Sequence, residues 1–209
     1  MNKKQTGMQI IFWGSVWGLL EVLIDTFCMT YKMIPRSILL GVSAIFVLAI
    51  ANRTVADSSV SVKMGLIAAF YKFLNVIFFP CQFFAVMIFG LFYQLQTGLV
   101  KKMKIENMIV KGLIVGCMVI VFNVIFAIGA AYVFKYSYWI KGGSEKITQF
   151  IFVEGSITAL LGFFSFQAGD LLGCYLKPVI STLAKNKSTI YVFGTTLFSS
   201  VALILMFVL

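Results

Sequence analysis

A few ionisable and amide side chains lie inside long apolar stretches of this sequence, where such groups are rare. Glu21 and Asp25 are four residues apart, so they share one face of a helix. A charged group within a lipid span costs roughly 2.5–3.5 kcal/mol and usually faces a bundle interior or an aqueous cavity. Such groups support recognition of a polar solute by ion pairs and hydrogen bonds. The candidate ligand-binding residues are Trp17, Glu21, Asp25, Lys72, Asn75, Asn123 and Glu154.

Two interpretations of this set remain open. In the first, Lys72 pairs with Glu21 as a structural bridge, while Asp25 and Glu154 reach the outer interface. In the second, three carboxylates against one ammonium surround a pocket and favour a cationic or hydrogen-bonding solute. Trp17 then either walls the pocket and stacks on a ligand ring or packs against neighbouring helices.

Composition indicates that membrane-spanning helices position these residues. Hydrophobic residues make up 61% of the 209-residue chain and charged residues 11%, against about 25% charged in a soluble domain. A helix needs about 20 apolar residues to cross a hydrocarbon core of about 30 Å. We predict a single all-α transmembrane domain over 1–209 with about seven helices, six being the alternative. The predicted helices cover about 8–30, 37–52, 61–79, 82–99, 108–134, 149–175 and 189–209.

The distribution of lysine and arginine predicts the orientation of these helices. The net charge is +10, and a cytoplasmic amino terminus places most basic residues in inner loops, including 101–104. That bias is the positive-inside pattern, and it leaves Lys72 within the third predicted helix. We therefore predict a retained first helix, an external carboxyl terminus and contact with membrane lipids. The location of the charge argues against a nucleic-acid partner.

Several chemistries are excluded by residue type. The sequence contains no histidine, which removes imidazole metal ligation and histidine general bases. It also lacks a nucleotide-binding Walker motif and a G-x-S-x-G elbow, so an intramembrane hydrolase would have to use Glu21 and Asp25. We predict no enzymatic activity, no cofactor and no metal. Cys28 and Cys81 lie near the outer face, and either a disulfide or two free thiols fits their positions.

Three pairs of glycines, each four residues apart, predict close helix packing in the cytoplasmic halves of the bundle. Glycine at this spacing lets helix backbones approach one another. The pairs either clamp this bundle internally or provide a docking face for another membrane subunit. They are Gly14 with Gly18, Gly112 with Gly116, and Gly169 with Gly173.

Aromatic residues cluster at the predicted outer end of the fifth helix. Tyrosine and tryptophan are enriched where membranes meet water. We therefore predict an interfacial belt there, formed by Tyr132, Tyr136, Tyr138 and Trp139.

The stretch 12–21, FWGSVWGLLE, resembles the first helix of substrate-binding S components of energy-coupling factor transporters. In that family a small-xxx-small pair docks against the transmembrane coupling subunit. Gly14 and Gly18 match the spacing, although alanine is the usual residue. The resemblance implies binding of a vitamin or metal ion from outside, with 31–37 as a lid and Glu154 as a site residue. The family has six helices with both ends inside, whereas this sequence predicts seven.

These observations lead to two functional hypotheses. The first is a solute-binding uptake subunit in a prokaryotic plasma membrane, taking a small cationic or vitamin-like solute from the outer side. Because the chain has no Walker motif, transport would require a coupling subunit and ATPase subunits. The second is a non-catalytic structural or regulatory subunit of a membrane complex, in which the charges only lock the helices together.

Overall fold

The computed structural model describes residues 3–31, 35–74 and 80–186, and it confirms an all-α helical bundle. Five of the described helices are long and apolar enough to cross a membrane, so the chain is a multi-pass membrane protein. The helices are α1 (Lys3–Tyr31), α2 (Arg36–Thr54), α3 (Val60–Tyr71), α4 (Pro80–Lys102), α5 (Met108–Ile128), α6 (Ser137–Thr148) and α7 (Gly155–Asn186).

Six of the seven predicted segments correspond to these helices, and the seventh, 189–209, lies outside the described residues. α3 is shorter than predicted and ends in a 3-10 turn, Lys72–Leu74. Lys72 therefore lies just beyond α3 rather than within a long helix. The predicted segment 149–175 is part of a longer apolar span, Trp139–Ile180. Its 42 residues exceed the roughly 20 that cross a bilayer, so its ends extend beyond the hydrocarbon core.

The packing of the bundle places α2 along α7, while α1 packs on α3, α3 on α4 and α5 on α7. The stretch 44–51 of α2 is almost wholly buried, with only Phe46 half-buried.

We use "inner end" for the end of the bundle that carries the lysine-rich 101–104 loop, and "outer end" for the opposite end. The positive-inside pattern predicts that the inner end faces the cytoplasm.

The prediction that Gly14 and Gly18 dock a partner is corrected by the packing of α1 on α3. A Cβ atom at Gly14 would lie 2.9 Å from Cβ of Ile67, and one at Gly18 would lie 2.6 Å from the ring of Tyr71. Since α3 covers this face, both glycines act as internal contacts. The alternative of an internal clamp describes them.

The other two glycine pairs are also internal. A Cβ at Gly112 would lie 2.7 Å from the Phe163 ring, which brings α5 close to α7. A Cβ at Gly169 would lie 2.6 Å from the carbonyl oxygen of Phe46. The backbones of α2 and α7 thus approach closely, by dispersion and weak C–H···O contacts.

An ion pair joins the same two helices near the inner end. Arg53 Nε lies 2.5 Å from Asp170 Oδ1, and its Nη2 lies 2.8 Å from Oδ2. Gly173 makes room for this arginine, because a Cβ there would lie 2.7 Å from Arg53 Cβ. The fork of the guanidinium matches the two carboxylate oxygens, so the pair is bidentate. We call Arg53 and Asp170 the inner pair.

Candidate functional site

Lys72 is the centre of a buried ion network near the outer half of the bundle. Its Nζ lies 2.7 Å from Glu21 Oε2 and 2.7 Å from Asp25 Oδ2. The four-residue spacing on α1 directs both carboxylates to one face, where the 3-10 turn after α3 presents the ammonium. All three residues are at most 4% exposed. The predicted bridge to Glu21 is confirmed, and it extends to Asp25.

Two more residues complete this network. Trp17 is fully buried and donates a hydrogen bond from Nε1 to Glu21 Oε1 at 3.0 Å. Arg36, the first residue of α2, places Nε 3.5 Å from Asp25 Oδ1. Two carboxylates therefore face two cations, which limits the penalty for burying them. We call Trp17, Glu21, Asp25, Arg36 and Lys72 the outer network.

A cavity of about 1050 Å³ lies beside the outer network. Ligand sites typically enclose about 300–1,000 Å³, so this volume suits a small organic molecule. Asp25 does not line the cavity, but it contacts two residues that do, Lys72 and Arg36. Asn75 lies outside the described residues. The predicted residues that line the cavity are Trp17, Glu21, Lys72, Asn123 and Glu154.

Asn123 supplies a neutral polar group to the cavity wall. It is 7% exposed and belongs to the buried face of α5. Gly155 makes room for it, because a Cβ at that position would lie 2.9 Å from Asn123 Nδ2. An amide carries both donors and an acceptor, so it can fix the orientation of a ligand without adding charge.

Aromatic rings form much of the remaining wall. The rings of Phe89 and Phe122 meet edge to face, with centroids 4.9 Å apart and an interplanar angle of 88°. Trp139 and Phe150 show the same distance and angle. Such pairs present both ring faces and ring edges, which suits an aromatic ligand. The aromatic lining residues are Trp17, Phe89, Phe122, Phe126, Tyr136, Trp139 and Phe150.

Two members of the predicted aromatic belt, at the outer end of the bundle, line the cavity. Trp139 is only 6% exposed, and Tyr136 lines the cavity with it. Tyr132 is 71% exposed, as a residue at the interface would be. The side chain of Tyr138 lies outside the described ones. The sequence did not separate these roles, because aromatic residues suit both a membrane interface and a cavity wall.

The outer rim of the cavity joins α2 to the start of α7. Ser37 Oγ donates a hydrogen bond to Glu154 Oε2. Arg36 and Ser37 belong to the predicted lid over 31–37, and both line the cavity together with Pro35. Residues 32–34 of that lid lie outside the described part of the chain. The hydrogen bond holds Glu154 to the start of α2, and Arg36 lines the same cavity.

The predicted excess of acidic groups around the site is wrong for the described residues. The sequence indicated three carboxylates against one ammonium, because Arg36 and Lys146 lie outside the predicted helices 37–52 and 149–175. Both line the cavity. Asp25 does not line the cavity but contacts two of its cations, and when it is counted the described charges balance: Glu21, Asp25 and Glu154 against Arg36, Lys72 and Lys146.

Two π-helical turns flank α6, at Gly129–Val133 and Gln149–Glu154. A π-helical turn aligns residues five apart rather than four, and such turns are frequent at functional sites. The second turn brings Gln149, Phe150 and Glu154 to the cavity together. Within α6, Gly143 has φ 63° and ψ −163°, a conformation that interrupts the helix and that glycine adopts without strain.

The two outer cysteines also line this cavity, and both are free thiols. Cys28 and Cys81 are 9% and 6% exposed, so they pack as small apolar groups. Of the two alternatives that the sequence left open, free thiols describe them.

No protein-family model matches this chain, and comparison with curated proteins and with solved structures likewise finds no match. The resemblance of α1 to transporter S components therefore stays a prediction. What the residues of this site can bind has to be argued from their own geometry.

Proposed function

We propose that this protein is a solute-binding subunit of a membrane uptake system, receiving a small molecule from the outer side. The observation that carries the proposal is the 1050 Å³ cavity, which combines aromatic walls with charged and amide groups. Ionisable groups within lipid spans are costly and usually serve a ligand or ion path. Lys72 and Glu154 meet that description, since both border one cavity.

The direction of access follows from the charges. The cavity is lined by Arg36 and Tyr136, which lie at helix ends opposite the 101–104 loop. The positive-inside pattern assigns that loop to the cytoplasm, so the cavity serves the outer side.

Coupling to an energy source requires other subunits, because this sequence has no Walker motif. The resemblance of its first helix to S components supports a transmembrane coupling subunit and ATPase subunits as those partners. Gly14 and Gly18 face α3, so the contact with a coupling subunit has to use other residues.

A structural or regulatory subunit is the second candidate. The observation in its favour is that Lys72 is already satisfied by two carboxylates, each 2.7 Å away. In that case the outer network would only hold α1 to α3. The two candidates differ in what they predict for the cavity, because a structural subunit has no need of it.

The test fills the cavity without touching the ion network. Ala85 lines the cavity, and Ala168 is an exposed residue of α7, so Ala85→Trp and Ala168→Trp form a matched pair. Each protein is purified from native membranes in nanodiscs, denatured, and analysed for released small molecules by mass spectrometry. We expect a solute from the wild type and from Ala168→Trp, and none from Ala85→Trp. A wild type that releases no solute, together with undiminished stability of Ala85→Trp, would favour the structural subunit.

A further inference from the structure

We infer that the solute is a zwitterionic aromatic molecule of about the size of an aromatic amino acid. This inference rests on the proposed function, and it specifies the chemical class of the ligand. Three features of the cavity carry it: balanced charge, adjacent groups of opposite sign on the rim, and aromatic walls.

The charge balance argues against a solute with a net charge. Among the described residues, two carboxylates and three cations line the cavity, and Asp25 supplies the third carboxylate through its contacts with Lys72 and Arg36. A net cation or anion would bring an unmatched charge into a site of low dielectric, whereas a zwitterion adds none. The expectation of a cationic solute assumed more carboxylates than cations around the cavity. Because Arg36 and Lys146 also line the cavity, that assumption does not hold.

The groups at the base of the cavity are already committed to one another. Lys72 has both Glu21 and Asp25 at 2.7 Å, and Glu21 also accepts from Trp17. A ligand that drew Lys72 away would leave two buried carboxylates unmatched. We therefore expect the charged groups of the ligand to bind at the rim of the cavity.

The rim offers one group for each half of a zwitterion. Arg36 has a side chain that is 34% exposed, and its contact with Asp25 runs through Nε at 3.5 Å. A guanidinium is a planar fork that suits a ligand carboxylate. Glu154 is bonded through Oε2 to Ser37, and a carboxylate has two oxygens that accept several hydrogen bonds, including those of an ammonium.

These two groups line the same cavity. Ser37 follows Arg36 directly in the chain, and its hydrogen bond holds Glu154 to the same part of the rim. We expect the amino group of the ligand to meet Glu154 and its carboxylate to meet Arg36. The ring of the ligand then extends toward the edge-to-face pair of Phe89 and Phe122.

The test uses three probes that share an indole ring and differ in charge: tryptophan is zwitterionic, tryptamine cationic and indole-3-propionate anionic. Binding to the full chain in nanodiscs is measured by equilibrium dialysis at pH 7. We expect tryptophan to bind at least about tenfold more tightly than either other probe, a difference of about 1.4 kcal/mol.

Two variants test whether the charge of Glu154 determines which probe binds best. Glu154→Gln should weaken tryptophan at least about tenfold and improve indole-3-propionate relative to tryptamine, because the site gains one positive charge. Asp57→Asn makes the same charge change in the inner loop and should leave all three affinities unchanged. Asp57 lies about 30 Å from the rim, by 20 residues from Ser37 at about 1.5 Å per residue of helix.

The inference is overturned if tryptamine or indole-3-propionate binds best, if the three bind equally, or if none binds. It is also overturned if Glu154→Gln and Asp57→Asn behave alike. The proposed function fails by a different result, namely the absence of any solute released from the wild type. A released solute of another chemical class would keep the function and reject only this assignment.

Discussion

The outer network and the inner pair are both sets of charges that join helices, yet their surroundings differ. The Lys72 side chain is 2% exposed and borders the large cavity. The Arg53 side chain is 43% exposed and lies where Gly173 lets α2 and α7 approach closely. A charge beside close-packed backbones joins helices, whereas charges around a cavity can also serve a ligand. The contrast separates structural and binding roles within one bundle.

The largest expected effect comes from breaking the outer network. Lys72→Met leaves Glu21 and Asp25 buried without their ammonium, which typically costs about 3–5 kcal/mol. We expect a large fall in the thermal unfolding temperature, measured in detergent by fluorescence. The matched control is the triple variant Glu21→Gln, Asp25→Asn, Lys72→Met, which removes all three charges. It should recover most of the loss, and a triple variant as unstable as Lys72→Met would contradict this account.

The next effect tests the close packing of the inner half. Gly169→Ala places a Cβ 2.6 Å from a backbone oxygen of α2, so the helices must separate. Overpacking of this kind costs about 1–3 kcal/mol. Gly98→Ala is the control, because nothing lies within 4 Å of a Cβ there. Equal unfolding temperatures for the two variants would show that the α2–α7 contact tolerates the extra volume.

A conservative change at two arginines sharpens the comparison further. Arg53→Lys loses the bidentate geometry, and since Arg53 is well exposed we expect a loss of about 0.5–1 kcal/mol in the free energy of unfolding. Solute retention should be unchanged. Arg36→Lys should show the reverse, with little change in stability and reduced solute retention by mass spectrometry. Loss of retention in Arg53→Lys alone would reverse the two assignments.

The smallest effect concerns pH at the α2–α3 loop. A hydrogen bond from Lys63, with others from Ser59, lowers the pKa of Asp57 from its ordinary value of 3.8 to about 2. A lowered pKa stabilises the fold above about pH 4, and this contribution is lost as the pH falls toward 2. The gap in unfolding temperature between wild type and Asp57→Asn should therefore narrow between pH 5 and pH 3. A gap that is constant over this range would show that the carboxylate is not responsible.

The sequence was sufficient for the helical membrane architecture and for the Lys72–Glu21 bridge. Long apolar segments have few other structures available to them in lipid, and a lone lysine among them must pair with a carboxylate. The sequence was insufficient to predict which charged residues form the rim of the cavity. Arg36 and Lys146 follow the same pattern as topogenic loop charges, and only their placement at the cavity distinguishes them.

The cavity walls were equally hard to predict. Phe89 and Phe122 are two of 22 phenylalanines, and in a membrane protein apolar residues face lipid and interior alike. The periodicity that identifies a buried face in a soluble helix is therefore weak. The π-helical turn Gln149–Glu154 has no sequence signature that we could use, although it decides which side chains of that segment reach the cavity.

The outer network has a consequence for how the chain is made. Asp25 precedes Lys72 by 47 residues, so α1 is synthesised with two carboxylates before their ammonium exists. At about 5–20 residues per second, the interval is between about 2 and 10 s. During that time α1 has to remain at the insertion site, because its two carboxyl groups have no partner within the lipid. The completed bridge then fixes α1 and α3 as an early unit of assembly, onto which the later helices are added.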